Sequence, residues 1–219
     1  MYDRGMEHTG VRADRGLQAD GGLRERSKAR RRAAIIRAAL ELFADRGYQA
    51  TTIADIAAAA DVAPRTVAMY FPSKQDIAMA RFGQSVDELT RALRNREPGE
   101  RATQIMARWL RARGPEAEQD IRELSARMFA ANPELNALRT ARMAPAIAAG
   151  AEIIARDTGA APGDAGPRLA AVAAAAMMIE LADIPSGPDR EQAITTAMRF
   201  VDAGIKALRS TARQGVQPR

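Results

Sequence analysis

Apolar positions along most of this chain recur every three or four residues, the period of an amphipathic helix rather than of a strand. The clearest stripe is Ile35, Ile36, Ala39, Leu40, Leu42 and Phe43, which predicts a first helix from Lys28 to Asp45. Gly47 follows and supplies the positive φ that stops it. Thr51 or Thr52 is a natural N-cap for a second helix with inner positions Ile53, Ile56, Ala57 and Ala60. Asp61-Val62-Ala63 makes a turn, and a short third helix begins at Ala63 or Pro64, because a proline lacks only an N–H that would be unpaired in the first turn. Val67, Tyr70 and Phe71 can face inward from it, and Ser73 caps a fourth helix.

The helical pattern continues over roughly Asp76 to Arg96, Glu100 to Arg113, Glu116 to Ala131, Pro133 to Arg156, Arg168 to Ala182 and Asp189 to Ser210. Glycine and proline punctuate these segments. Nine helices are expected, or ten if Pro145 splits the segment that contains it. The fold class is therefore all-α: an N-terminal three-helix helix-turn-helix domain, then a larger helical domain. A length of 219 residues accommodates both. The boundaries are a disordered polar, glycine-punctuated tail at 1–23, a head with a basic arm at 24–75, a second domain at 76–212 and a disordered tail at 213–219.

Composition narrows the chemistry. The chain has no cysteine, which excludes disulfides, thiolate metal sites and cysteine nucleophiles, and suits a reducing cytoplasm. Its one histidine, His8, lies in the N-terminal tail, so a Ser-His-Asp triad or a multi-histidine metal site is not expected, and neither is a cofactor. The N-terminus has no apolar core of a secretory signal, and the run from Leu169 to Ile179 is interrupted by Glu180 short of a bilayer span; a soluble, unexported protein with no membrane partner is expected.

A formal charge of +6 suits a polyanion. Its distribution says more. Arg24, Arg26, Lys28, Arg30, Arg31 and Arg32 run directly into the first helix and read as a phosphate-contacting arm. On the third helix Pro64, Arg65, Thr66, Ala68 and Met69 remain outward, where Arg65 can donate bidentately to guanine and the methyl groups can pack on thymine. Ser73 and Lys74, at the start of the fourth helix, form a phosphate clamp with its free N–H groups.

Those residues carry a resemblance. Leu42-Phe43, Gly47-Tyr48, Thr51-Thr52, Ile56-Ala57, Val62, Tyr70-Phe71 and Lys74 make Lys28 to Ile77 similar to the DNA-binding domain of the TetR family of bacterial transcriptional repressors. The resemblance implies a homodimer that binds a palindromic double-stranded operator and is released by a small organic effector held in the C-terminal domain. It also implies that Thr52, Tyr70 and Lys74 contact phosphate and that Pro64, Arg65, Ala68 and Met69 are base-facing. Asp61 stands where many members have glycine, Ala63 where serine often caps the third helix, and Ala68-Met69 replaces a more usual aromatic pairing.

Two late stripes read as a dimer surface, with internal core as the alternative: Leu169, Val172, Ala173, Ala176 and Met177, and Ile194, Ala197, Met198, Val201, Ile205 and Leu208. Paired across a twofold axis they would set two heads one DNA turn apart. Phe82, Met106, Trp109, Leu110, Met128, Phe129 and Met143 are the large residues available to line an effector pocket, and a mainly apolar, uncharged or weakly polar effector is expected. An activator or nucleoid factor could use the same head. A helical enzyme finds no catalytic constellation here.

Overall fold

The computed structural model describes the backbone of residues 10–112, 116–161, 163–185 and 187–214, and side chains within 24–112, 119–161, 163–185 and 187–209. These residues form ten α-helices and one 3-10 helix, with no strand among them. Helix α1 (Gly10–Arg46), α2 (Ile53–Ala59) and α3 (Pro64–Tyr70) make the head. The frame behind it comprises α4 (Lys74–Arg94), α5 (Ala102–Arg111), α6 (Glu116–Ala131), the 3-10 turn (Pro133–Leu135), α7 (Asn136–Arg142), α8 (Ala144–Thr158), α9 (Ala165–Asp183) and α10 (Pro188–Gln214).

Helix α1 begins at Gly10, within the segment expected to be a disordered tail. Extending an existing helix adds a hydrogen bond for each residue ordered, whereas starting one carries the nucleation cost, so glycines that argue against a free-standing helix interrupt an extension less. The remaining tail residues, 1–9 and 215–219, lie outside the described residues. Gly47 closes α1 with a φ of 88°, as its position required.

Pro145 divides the chain. It sits at the start of α8, where its missing N–H is harmless, and the segment expected from Pro133 to Arg156 becomes a 3-10 turn and two helices.

One continuous core runs from the head into the frame. Ile35, Leu40 and Phe43 of α1 meet Ile56, Val67 and Ile77, and α4 carries the apolar stripe onward through Phe82, Val86 and Leu89. Burial of such side chains at about 1.5–3 kcal/mol each is the main force holding head to frame. In the frame α8 packs along α9, which packs on α10, and α1 lies against α6. Helix α9 is long and apolar enough to cross a membrane, with 33% of its apolar window buried inside the protein. Much of that apolarity is alanine, and Ala171, Ala174, Ala175 and Met178 pack inward. A bidentate pair, Arg96 to Asp157 at 2.7 and 2.8 Å, fastens the end of α4 to α8.

Candidate nucleic-acid interface and internal cavity

The head is built by local chemistry. The Thr52 hydroxyl accepts from the Asp55 N–H at 3.1 Å while the Asp55 carboxylate accepts from the Thr52 N–H at 2.8 Å, a capping box that starts α2. Hydrogen bonds from the Thr52 side chain and then its backbone hold the Asp55 carboxyl below the usual carboxylate range. Thr51 is buried instead, donating to the Gly47 carbonyl at 2.9 Å, so Thr52 is the cap. In the turn Asp61 takes a left-handed φ of 52°, the conformation that glycine adopts freely and aspartate tolerates. Helix α3 then begins at Pro64 with no side-chain cap from Ala63.

Val67 anchors α3 in the core, and this orientation exposes Pro64, Arg65, Ala68 and Met69. Met69 is 84% exposed and the largest apolar side chain on this face. Thr66 and Tyr70 are half-buried. Arg30 and Arg31 are exposed on α1, whereas Arg32 is half-buried with its guanidinium 5.1 Å from the Phe71 ring centroid, joining α1 to the end of α3.

Lys74 departs from the phosphate clamp expected of it. Its ammonium donates to the carbonyls of Tyr48 at 2.7 Å, Thr51 at 2.8 Å and Gln49 at 3.5 Å, and lies 4.4 Å from the Tyr48 ring centroid. Its three N–H donors are directed at three carbonyls of the loop between α1 and α2, which makes it a brace for that loop. Ser73 caps α4 by accepting from the Asp76 N–H at 3.1 Å, and its hydroxyl donates to the Asp76 carboxylate at 2.6 Å. An acid thus already occupies the helix start where a phosphate was expected.

A buried side chain ties α6 to the head. Asn132, buried just beyond α6, donates through Nδ2 to the Phe43 carbonyl at 2.9 Å and the Met128 carbonyl at 2.7 Å, and accepts from the Tyr48 N–H at 2.5 Å. Arg127 adds an exposed pair with Asp45 at 3.1 Å.

A partly open cavity of about 780 Å³ lies between α4, α5, α6, α7, α9 and the start of α10. Phe82, Trp109, Leu110 and Phe129, four of the residues considered for an effector pocket, are among its lining. Met106, Met128 and Met143 are not; they are buried in the core, where flexible methionines fill gaps between helices. Five arginines (81, 111, 122, 139 and 190) and three carboxylates (Glu88, Asp183 and Glu191) line the same space.

Arg139 is 3% exposed and pairs bidentately with Asp183 at 2.6 and 2.9 Å. Its guanidinium carbon lies 4.3 Å from the Phe129 ring centroid and 5.2 Å from that of Phe82, and its Nε has no partner. Arg190 donates to the main-chain carbonyls of Leu110 at 3.0 Å and Ile184 at 2.8 Å. Burial, then the neighbouring Arg122, push its pKa down, with Asp183 opposing. The Trp109 indole donates to the Ser85 carbonyl at 3.0 Å, which fixes the ring at the cavity wall.

The expected dimer stripes separate. On α9 Leu169, Val172, Ala173 and Ala176 are exposed and Met177 half-buried, so this stripe faces outward. On α10 Ile194, Met198 and Val201 are buried within the protomer and belong to its core. Ala197, Ile205 and Leu208 are half-buried. The outward apolar residue of α10 is Phe200, 67% exposed, beside a shallow groove lined by Met177, Ala193 and Ala197. Ala193, Ala197, Phe200 and Gly204 recur at helical spacing beside the more apolar stripe and could have been read from it.

Comparisons with known proteins agree with this geometry. Residues 35–80 match the profile of bacterial regulatory proteins of the tetR family. The HTH-type transcriptional regulator TcmR of Streptomyces glaucescens is 41% identical over 91 residues, 42% of this chain and 40% of that protein. The chain thus matches about two fifths of the length of that relative. Among solved structures, Salmonella enterica GusR aligns over 80% of this chain and 95% of its own with a TM-score of 0.55 at 19% identity. NalD, the secondary repressor of the MexAB-OprM multidrug efflux pump in Pseudomonas aeruginosa, aligns over 82% and 97% with a TM-score of 0.53 at 21% identity. A putative TetR-family regulator from Rhodococcus sp. aligns over 81% and 99% with a TM-score of 0.52 at 23% identity. The head at residues 35–80 is thus similar to that of bacterial regulatory proteins of the tetR family, and the helices behind it share the fold of these solved structures.

Proposed function

We propose that this chain is a cytoplasmic, homodimeric repressor that reads a palindromic operator with α3 and releases it when a small organic molecule fills the frame cavity. The observation that carries the reading is the outer face of α3, where Arg65 and Met69 are exposed on a helix held rigidly by Val67. A bidentate arginine and an apolar contact are the means of reading guanine and thymine in a major groove. The arm residues Arg30 and Arg31, with Thr52 at the start of α2 and Tyr70 at the end of α3, supply phosphate contacts that set the register of α3.

The outward apolar residues of α9 and α10, led by Leu169, Val172 and Phe200, support pairing of two copies about a twofold axis. Release is supported by the course of α6. Arg122, Ser125, Ala126 and Phe129 border the cavity, and Asn132 at the far end holds Phe43 and Tyr48 of the head. An occupant that displaces α6 therefore works against the bonds that orient α2 and α3. By linkage, the ligand shifts DNA affinity only by its preference for the released arrangement.

The test is fluorescence anisotropy of a labelled operator, selected from random DNA by the purified protein, during titration of a small-molecule library. Saturable binding that particular compounds reverse, with the same compounds quenching Trp109, agrees with the reading. Binding that no cavity ligand alters would exclude release through the cavity.

A further inference from the structure

From the electrostatics of the cavity we infer that its cognate effector is an organic anion, a carboxylate or comparably acidic group on an aromatic body. The inference rests on the reading of this cavity as the effector site. Its lining carries a net excess of two positive charges over its carboxylates. The acids present are not held in reserve for a cation: Asp183 is committed to Arg139, and Glu191 pairs with Arg111 at 2.5 Å. Glu88 accepts from Gln84 at 3.2 Å.

Arg190 and Arg122 carry the excess. Arg190 is anchored by main-chain carbonyls, which orient its guanidinium without cancelling its charge. Arg122 lies close enough to oppose it electrostatically and makes no ion pair among the described residues. Two like charges in a partly dehydrated wall repel, and an anion between them relieves that repulsion while replacing lost hydration. A second observation points the same way. The unpartnered Nε–H of Arg139, buried in the same lining, is a donor whose satisfaction requires an acceptor that the protein does not provide.

The body of the ligand follows from the neighbouring rings. Trp109, Phe82 and Phe129 share the lining, and the volume of about 780 Å³ lies within the range of drug-sized sites. Their faces and edges suit a flat aromatic framework, with the acid directed to the arginines. A cation is disfavoured by the charge, and a neutral ligand leaves the repulsion between Arg122 and Arg190 in place.

Trp109 is the chain's one tryptophan, so binding can be read directly by its quenching. The full-length protein is titrated with biphenylcarboxylate, its neutral carboxamide and the corresponding methylammonium. The expected result is a preference of at least about tenfold for the acid over the amide, and a larger one over the ammonium. In Arg122→Gln and Arg190→Gln the acid-to-amide ratio falls toward one, with cooperative thermal melts establishing that both variants are folded. Should one variant fail to fold, the other carries the comparison; should both fail, salt titration of the wild-type ratio takes their place, because only a charge-based preference falls with ionic strength. Equal affinity for acid and amide overturns the inference, as does absence of quenching by the acid or a ratio unchanged in the folded variants. Operator anisotropy run alongside separates the two ideas. Acid-selective binding without operator release counts against the release mechanism alone, whereas release by amide and acid alike counts against the anionic class alone.

Discussion

Replacing Asn132 with alanine tests how the head is joined to the frame. The side chain makes three hydrogen bonds at 2.5–2.9 Å from a site that is 1% exposed. Truncation does not affect all three partners equally. The Phe43 carbonyl keeps the Gly47 N–H at 3.2 Å, but the Tyr48 N–H loses the acceptor that Asn132 provides. Two bonds lost at about 1 kcal/mol each, with one orphaned donor at about 1–3 kcal/mol, predict a loss of about 3–5 kcal/mol for Asn132→Ala. Urea denaturation followed by far-UV circular dichroism and by Trp109 fluorescence measures it. A second consequence distinguishes a junction from an ordinary buried amide: the variant binds cavity ligands yet passes less of that binding to operator affinity. A loss under about 1 kcal/mol, or full ligand-driven release in the variant, would refute the assignment of Asn132 as the joint.

Other substitutions probe separate parts of the account. Arg65→Ala is expected to cost about 1–3 kcal/mol on the operator and to relax selectivity at one base pair per half-site; equal losses on operator and random DNA in anisotropy titrations would contradict base reading. Lys74→Met, which keeps the stem but removes the ammonium, is expected to lower the melting temperature because the Tyr48 and Thr51 carbonyls lose their brace, whereas a residue used only on phosphate would weaken DNA binding without moving the melt. Phe200→Asp is expected to shift the species seen by light scattering from dimer to monomer, and an unchanged dimer mass would place the interface elsewhere. The Asp157 carboxyl is held below its ordinary range chiefly by hydrogen bonds from Arg96, so its contribution is fully present above the unfolded aspartate pKa of about 4 and is lost as pH falls through the lowered folded value. Asp157→Asn should therefore cost about 1 kcal/mol at neutral pH, with the difference from wild type closing in acid denaturation profiles below that range.

Features set by contacts between neighbours in sequence were largely legible before the structure. Gly47, Thr52 and Pro64 announce a stop, a cap and a start through their own backbone chemistry, and the stripe from Ile35 to Phe43 records a helix face in its spacing. Features set by distant partners were not. Lys74 has the appearance of a phosphate ligand until its carbonyl partners, more than twenty residues earlier, are seen. Arg139 and Arg190 resemble the solvated arginines around them, and only the packing of α4, α6 and α9 turns them into a charged cavity wall. Spacing identified Ile194, Met198 and Val201 as one face of α10 but could not tell which neighbour that face meets; it meets the protomer's own core. Periodicity reports that a face is apolar. Whether a second helix or a second chain covers it depends on tertiary arrangement.

The central claim, a paired reading head with α3 at its contact surface, is tested most directly by selecting binding sites from random DNA with the full-length protein and sequencing what is retained. The account predicts an inverted repeat whose half-sites are spaced to bring two major grooves to one face, about one helical turn or a multiple apart, with one position per half-site losing its preference in Arg65→Ala. Retained DNA without dyad symmetry, or no enrichment over the starting pool, would contradict it.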